Sequence, residues 1–486
     1  MRKCYTDLWL TLLAMANGIS DKKTRISALT DSIIFLFGII FLCFLIFVSL
    51  SVRPCSDDLY FYAEFLDKGW FNAIWEMGTN IRFTGFLVFN TICLAVKDFQ
   101  DFPMVFFFYY LLLFSFLYFS TYRLIKTLLI HLFYLVNPSV IQVFNLSSFF
   151  VASFYFSTIN AQEVWFWTIA TTIYLLPIPL LFLAISELIR HKTKRSYFTA
   201  GILFFLIGGM VENLVLTLFS LLFVVNIFIW LTFKKIDWRL VLSKITLLMV
   251  PFLSWIHSGL GKRIKNEAYY SVENGIFKTL YSDYNLEFNY NRMMMVFLIV
   301  VFVFYSANSL KGTLKTPSWS NRKMFVLSLL LLFVSFITTF FPMFYVYGNF
   351  GPARASLPFF LVLIILVFCW VFILGLNYHV NGSIILSVSI VAVLVLGIFT
   401  YKQVNTTRYF AREYDNRVQD LIRQKESKTL FLLAKPLPDS GIIPSQELNK
   451  IGEIPAMTSY YLGRVNGINK DVYIDTTSIE GSKEWH

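Results

Sequence analysis

The run from Leu29 to Val52 carries a single charged side chain, Asp31, before the chain meets Arg53. At 1.5 Å per residue, about 20 apolar residues cross a hydrocarbon core of about 30 Å as a helix. Comparable runs recur to Thr400, which makes the chain a polytopic membrane protein and its class all-α. Alternating segments of about ten residues, the mark of a membrane β-barrel, are missing. Composition agrees: of 486 residues, 57% are hydrophobic and 14% charged, where soluble domains carry about 25% charged residues.

Spans are expected at 29–52, 104–122, 127–159, 166–188, 197–212, 214–233, 240–258, 293–310, 324–345, 357–376 and 383–401, eleven in all. The net charge of +12 sits in short clusters between these runs. The clusters are Arg2, Lys3, Lys22, Lys23 and Arg25; Arg123 with Lys126; RHKTKR; KKIDWR; and KGTLKTPSWSNRK. Such spacing is the positive-inside signal, and it places residues 1–28 and the other clusters on the cytoplasmic side. A continuous basic face on a soluble domain is absent, so nucleic acid is not an expected partner.

An odd number of crossings exports residues 402–486, where composition turns ordinary and PLPDSGIIPSQ, NGINK and DTTS punctuate the chain. Three further segments fall on the outer face: 53–103, 259–292 and 346–358. The first contains FTGFLVFNTICLAV, too short to span. It also contains GWFNAIWEM, where Trp70, Phe71, Ile74 and Trp75 recur at helical spacing. That is the pattern of an amphipathic helix lying in the headgroup region.

Five cysteines at 4, 43, 55, 93 and 369 show no C-x-x-C spacing, and five histidines at 131, 191, 257, 379 and 486 are dispersed. Neither pattern indicates a metal or redox centre. Cys55 and Cys93 share the outer side, so their pairing is left open. Nucleotide-binding and hydrolase motifs are missing from any supporting context. No cofactor is expected.

The sharpest chemistry is in RPCSDDLYFYAEF, where Asp57 and Asp58 follow the first span directly. An acid in a helix first turn satisfies free N–H groups and suits the helix dipole. A carboxylate at the membrane surface also accepts the proton of an attacking hydroxyl. Both roles fit together, because neighbouring helical side chains diverge by about 100°. Outside-facing cations are the complementary groups: Arg82, Arg354 within GNFGPARAS, and the cluster of Lys262, Arg263 and Lys265. Their ordinary alternatives are snorkelling and headgroup contact. Glu163 beside Trp165 and Trp167, and Glu212–Asn213 in GGMVENL, lie near expected outer helix ends. Ionisable groups at that depth are costly and mark candidate sites, with a structural hydrogen bond as the alternative.

An acid pair just after the first membrane helix, followed by aromatic residues and interfacial helices, resembles the GT-C superfamily of polyprenyl-phosphate-sugar glycosyltransferases. Within it, SDDLYFYAEFLDKGW, EVWFW and GGMVENL are similar to the serotype-converting O-antigen glucosyltransferases (Gtr type, type II) of phage-modified enteric bacteria. The resemblance covers most of the chain through short motifs. It implies a GT-C membrane domain over 29–401, a periplasmic C-terminal domain and residence in the bacterial inner membrane. It implies transfer of glucose from undecaprenyl-phosphate glucose to a hydroxyl of the lipopolysaccharide O-antigen, with inversion and without a metal. Asp57, matching the first acid of the family's pair, is then the base with Asp58 as supporting partner or substitute, Arg82, Arg354, Lys262 and Arg263 bind the donor phosphate, and Glu163, Trp165, Glu212 and Asn213 contact substrate. Tyr460, Tyr461, Arg464 and Asn466 become possible acceptor contacts. The alternatives are a lipid or sugar transporter, an O-antigen polymerase and a structural partner of the donor-making machinery.

Overall fold

A computed structural model describes residues 22–78, 82–131, 133–135, 138–158, 161–190, 194–256, 290–309, 321–347, 353–378, 381–424, 431–438, 462, 465–466 and 471–474. Helix dominates: α1 Lys22–Ser49, α2 Ser56–Gly78, α3 Phe83–Cys93, a 3-10 turn Phe99–Asp101 leading into α4 Phe102–His131, and α5 Val140–Ser157. A short α6, Ala161–Trp165, and α7, Thr168–Ala170, precede a π-helical turn at Thr171–Leu175. Then come α8 Pro177–Arg190, α9 Lys194–Gly208, α10 Glu212–Phe233, α11 Trp238–Ile256, α12 Tyr290–Ser309 and α13 Asn321–Tyr347. After a 3-10 turn, Ala353–Ser356, the chain continues as α14 Leu357–Asn377 and α15 Gly382–Gln424. Strands β1 Phe431–Ala434 and β2 Asp471–Ile474 pair in parallel, Phe431 opposite Asp471.

Among the described residues, eight helices are long and apolar enough to cross a membrane. Eight of the eleven expected spans meet such a helix. The other three, at 197–212, 240–258 and 293–310, coincide with α9, α11 and α12, which lie outside that set. Several boundaries differ from expectation; the span expected at 127–159 is broken, its main helix running from Val140 to Ser157. The helix beginning at 102 does not break at Arg123 and Lys126 but runs to His131, because Arg123 pairs with Glu187 of α8 and Thr127 Oγ1 meets Ser186 Oγ at 3.0 Å. Likewise the last span does not end near 401: α15 continues for 43 residues without a break.

The chain divides into two compact units. The first comprises 1–43, 115–159 and 177–399. Its helices approach closely where glycine leaves room: a Cβ at Gly208 would strike the Leu247 carbonyl of α11, and one at Gly375 the Phe304 carbonyl of α12. Small residues let backbones meet where lipid supplies no hydrophobic drive. Interhelical polar contacts add to this, with Thr217 and Thr339 oxygens 3.2 Å apart and Trp370 Nε1 donating to Ser328 Oγ at 3.1 Å. An apolar cavity of about 240 Å³ lies among α5, α12 and α14, bounded by Ser153, Ser157, Val300, Leu363 and Phe368.

The second unit gathers 44–114, 160–176 and 400–486. The segment after the first span and the C-terminal segment therefore share one unit, although residues 115–399 lie between them in sequence. Its core is aromatic. Tyr62 meets Phe102 edge-on at 4.7 Å, Phe102 meets Phe106 at 5.2 Å, and Phe61 lies 4.8 Å from Phe86.

Candidate functional site: an acid turn after the first membrane helix

Between α1 and α2 the backbone leaves the helix for six residues, Leu50 to Cys55, of which Ser51 to Cys55 are buried. Buried non-helical backbone needs a partner for every N–H and C=O. Ser51 N–H donates to Val48 O at 2.9 Å, the guanidinium Nη1 of Arg53 donates to Val52 O at 2.9 Å and Leu50 O at 3.2 Å, and Tyr414 Oη donates to Pro54 O at 2.9 Å. Pro54 has no N–H to satisfy.

Asp58 completes the turn. It stands three residues into α2, and its Oδ2 accepts the Cys55 N–H at 3.2 Å while Leu59 N–H donates to the Cys55 carbonyl. This is the carboxylate half of a capping box. Its other oxygen, Oδ1, accepts the Ile169 N–H of α7 at 2.9 Å, and the side chain is wholly inaccessible to solvent. Burial pushes its pKa up to about 7; the bonds from Ile169 and Cys55 oppose the rise and the charge of Asp57 adds to it. Burial likewise raises the Cys55 thiol well above its ordinary value.

Asp57 differs: it is half-buried. Of the two acids, Asp58 spends both oxygens on backbone amides. The first-turn acid that satisfies a free N–H at the start of α2 is thus Asp58, through the Cys55 amide.

The strand-like break at Trp167 (φ −93°, ψ 112°) restarts the helix and leaves the first-turn amide of Ile169 for Asp58 to bind, and a π turn follows at Thr171–Leu175. Leu176 N–H reaches back five residues to Thr171 O at 2.9 Å, and Tyr110 Oη lies 3.3 Å from Thr168 Oγ1. α3 fits tightly against this turn, since a Cβ at Gly85 would come within 2.8 Å of Ile173 Cγ1.

Asp57, Asp58, Arg82, Glu163 and Trp165 all belong to the second unit. Arg82 precedes α3 and is half-buried, and Glu163 is half-buried in α6. Trp165 departs from expectation: it is fully buried and stacks on Phe114 at 6.1 Å, so its ring serves the core and offers no face to a sugar. Arg354, Glu212 and Asn213 belong to the first unit. Arg354 lies half-buried in the 3-10 turn before α14, Glu212 opens α10, and the buried Asn213 carries an amide 3.5 Å from the Ala355 carbonyl of that same turn. Lys262, Arg263, Lys265, Tyr460, Tyr461 and Arg464 lie outside the described residues. Asn466 is described, and its amide donates to Leu462 O at 2.8 Å.

Among the described residues no group of three or more His, Cys, Asp and Glu side chains is placed to hold a metal ion. Cys43, Cys55, Cys93 and Cys369 are free thiols, which answers the open question of a Cys55–Cys93 pair. The cavity of the first unit contains none of the residues singled out from sequence. Sequence reasoning missed Arg53, Ile169, Tyr414 and Asp415. Arg53 was legible as the first charge after the span, whereas nothing local pointed to partners so far along the chain.

Comparison with protein-family models gives no match, and neither curated proteins nor solved structures give one.

Proposed function

We propose that the chain is an inverting GT-C glycosyltransferase of the inner membrane that moves glucose from undecaprenyl-phosphate glucose to a hydroxyl of the O-antigen at the periplasmic face. The observation that carries this reading is the acid turn: one carboxylate locked on two backbone amides, its neighbour half-exposed, both directly after a membrane-length helix.

In this reading Asp57 accepts the proton as the acceptor oxygen attacks the anomeric carbon. The bond from that carbon to the phosphate oxygen breaks, and polyprenyl phosphate leaves with the electron pair. Phosphate is a good leaving group, so the enzyme chiefly orients reactants and stabilises the departing charge. Arg82, which shares a unit with Asp57, is the cation assigned to that charge. Glu163 is the candidate for a sugar hydroxyl.

The test is purified full-length protein in proteoliposomes with synthetic polyprenyl-phosphate glucose and O-antigen-bearing lipopolysaccharide. One polyprenyl phosphate released per glucose attached, with the anomeric configuration inverted by NMR, is the expected result. Movement of the lipid across the bilayer with no phosphate release would replace this reading with a transporter.

A further inference from the structure

α15 is 43 residues long, while a span needs about 20. Its remainder turns charged at Lys402 and carries Arg408, Arg412, Glu413, Asp415, Arg417, Asp420 and Arg423. This extension reaches the turn that presents Asp57. Arg53 Nε and Nη2 each donate to one Asp415 oxygen at 2.7 Å, and Tyr414 Oη donates to Pro54 O. With Nη1 on Leu50 O and Val52 O, all three guanidinium nitrogens of Arg53 are engaged.

The carbonyls of Leu50, Val52 and Pro54 are thus all held by side chains, two of them through a residue that α15 itself fixes. The pair is two-pronged, the geometry in which an arginine–carboxylate contact adds orientation as well as attraction. Arg53 is 9% exposed, whereas the Asp415 side chain is 50% exposed. The charge at 415 can therefore be changed at the solvent-facing partner without removing the buried arginine. At the other end of the extension, Arg417 donates to the Lys435 carbonyl just past β1, so the strand pair is tied to the same stretch of helix.

We propose that Asp415 and Tyr414 are positioning residues for Asp57: the C-terminal helix extension sets where the base stands, three residues beyond the carbonyl that Tyr414 holds. This rests on the glycosyltransferase reading and extends it, because it gives the C-terminal segment a part in turnover other than holding the acceptor.

The test uses full-length Asp415→Asn, Asp415→Glu, Tyr414→Phe and the double variant Asp415→Asn/Tyr414→Phe in proteoliposomes with synthetic polyprenyl-phosphate glucose and O-antigen-bearing lipopolysaccharide as acceptor. Two readouts are taken: amide hydrogen exchange over residues 51–60, and kcat and KM for the donor. Misplacement of a reacting group by about 1 Å costs on the order of 10²-fold in rate. The expected result is faster exchange confined to 51–60, a kcat about tenfold lower in each of Asp415→Asn and Tyr414→Phe and about 10²-fold lower in the double variant. Donor KM stays within about twofold, and Asp415→Glu recovers part of the rate. Unchanged exchange, or faster exchange at unchanged kcat, overturns the positioning role; so does a rise in KM at constant kcat. If Asp415→Asn fails to insert, Tyr414→Phe carries the test, since it deletes one hydroxyl and keeps the ring. A wild-type protein that releases no polyprenyl phosphate overturns the reaction and this inference together, while an active wild type with indifferent variants overturns the inference alone.

Discussion

The two halves of α2 are one helix by range and two different objects by environment. Before Gly69, Leu59, Tyr62 and Ala63 are buried, Asp58 is bonded on both oxygens, and Phe61 and Tyr62 pack into the aromatic core. After it, Trp70, Phe71 and Trp75 are exposed, with the Phe71 and Trp75 rings stacked, while Ala73 and Ile74 are buried. Gly69 joins the halves at φ 74°, ψ 166°, a conformation that only glycine adopts freely. A buried half with paired polar groups can hold a carboxylate in place. An amphipathic half with bare aromatic rings suits the membrane–water boundary, where tryptophan concentrates.

If that division is right, substitutions should separate sharply along the helix, and the largest effect belongs to Asp58. Asp58→Ala orphans the buried N–H groups of Cys55 and Ile169, each at about 1–3 kcal/mol. A large fall in thermal stability in detergent is the expected outcome, and an unchanged unfolding midpoint would dissolve the contrast. Gly69→Ala comes next. Its Cβ meets nothing within 4 Å, so the cost is backbone strain alone, about 1–3 kcal/mol, seen as a lower midpoint or as faster exchange in the second half.

A smaller effect concerns pH. The folded-state pKa of Asp58, about 7, lies above the ordinary carboxylate value of 3.8. Between those values the folded protein holds the proton and the unfolded chain does not, so stability from this group is full at low pH and declines as pH rises through about 7. The difference in midpoint between about pH 5 and pH 8 should therefore shrink in Asp58→Asn. Smallest is Trp75→Ala, exposed at 57%, which should move stability in detergent by less than about 0.5 kcal/mol while weakening association of the helix with lipid.

Much of the membrane architecture was legible because an apolar run is a local property. The runs at 29–52, 214–233, 324–345, 357–376 and 383–401 announce helices whatever they pack against. Boundaries were not legible where a distant partner decides them. Arg123 and Lys126 read as a loop until Glu187 of another helix supplies the counter-charge, and α15 passes through 401 because its charged half finds Arg53 and the Pro54 carbonyl. The acid pair was visible in SDD, yet the bonds that hold Asp58 were not, since one of them comes from an Ile169 amide 111 residues further on, left free where the helix restarts after Trp167. Trp165 looked available only because nothing in EVWFW reveals Phe114 lying over it.

The account stands on Asp57 doing chemistry that Asp58 does not. The direct measurement is kcat for glucosyl transfer by Asp57→Asn, with insertion and thermal stability checked on the same preparation. A carboxamide cannot take the acceptor proton, and loss of a positioned base costs about 10²- to 10⁴-fold. The account predicts a fall of that size at wild-type stability. A properly inserted Asp57→Asn that transfers glucose at the wild-type rate would contradict it.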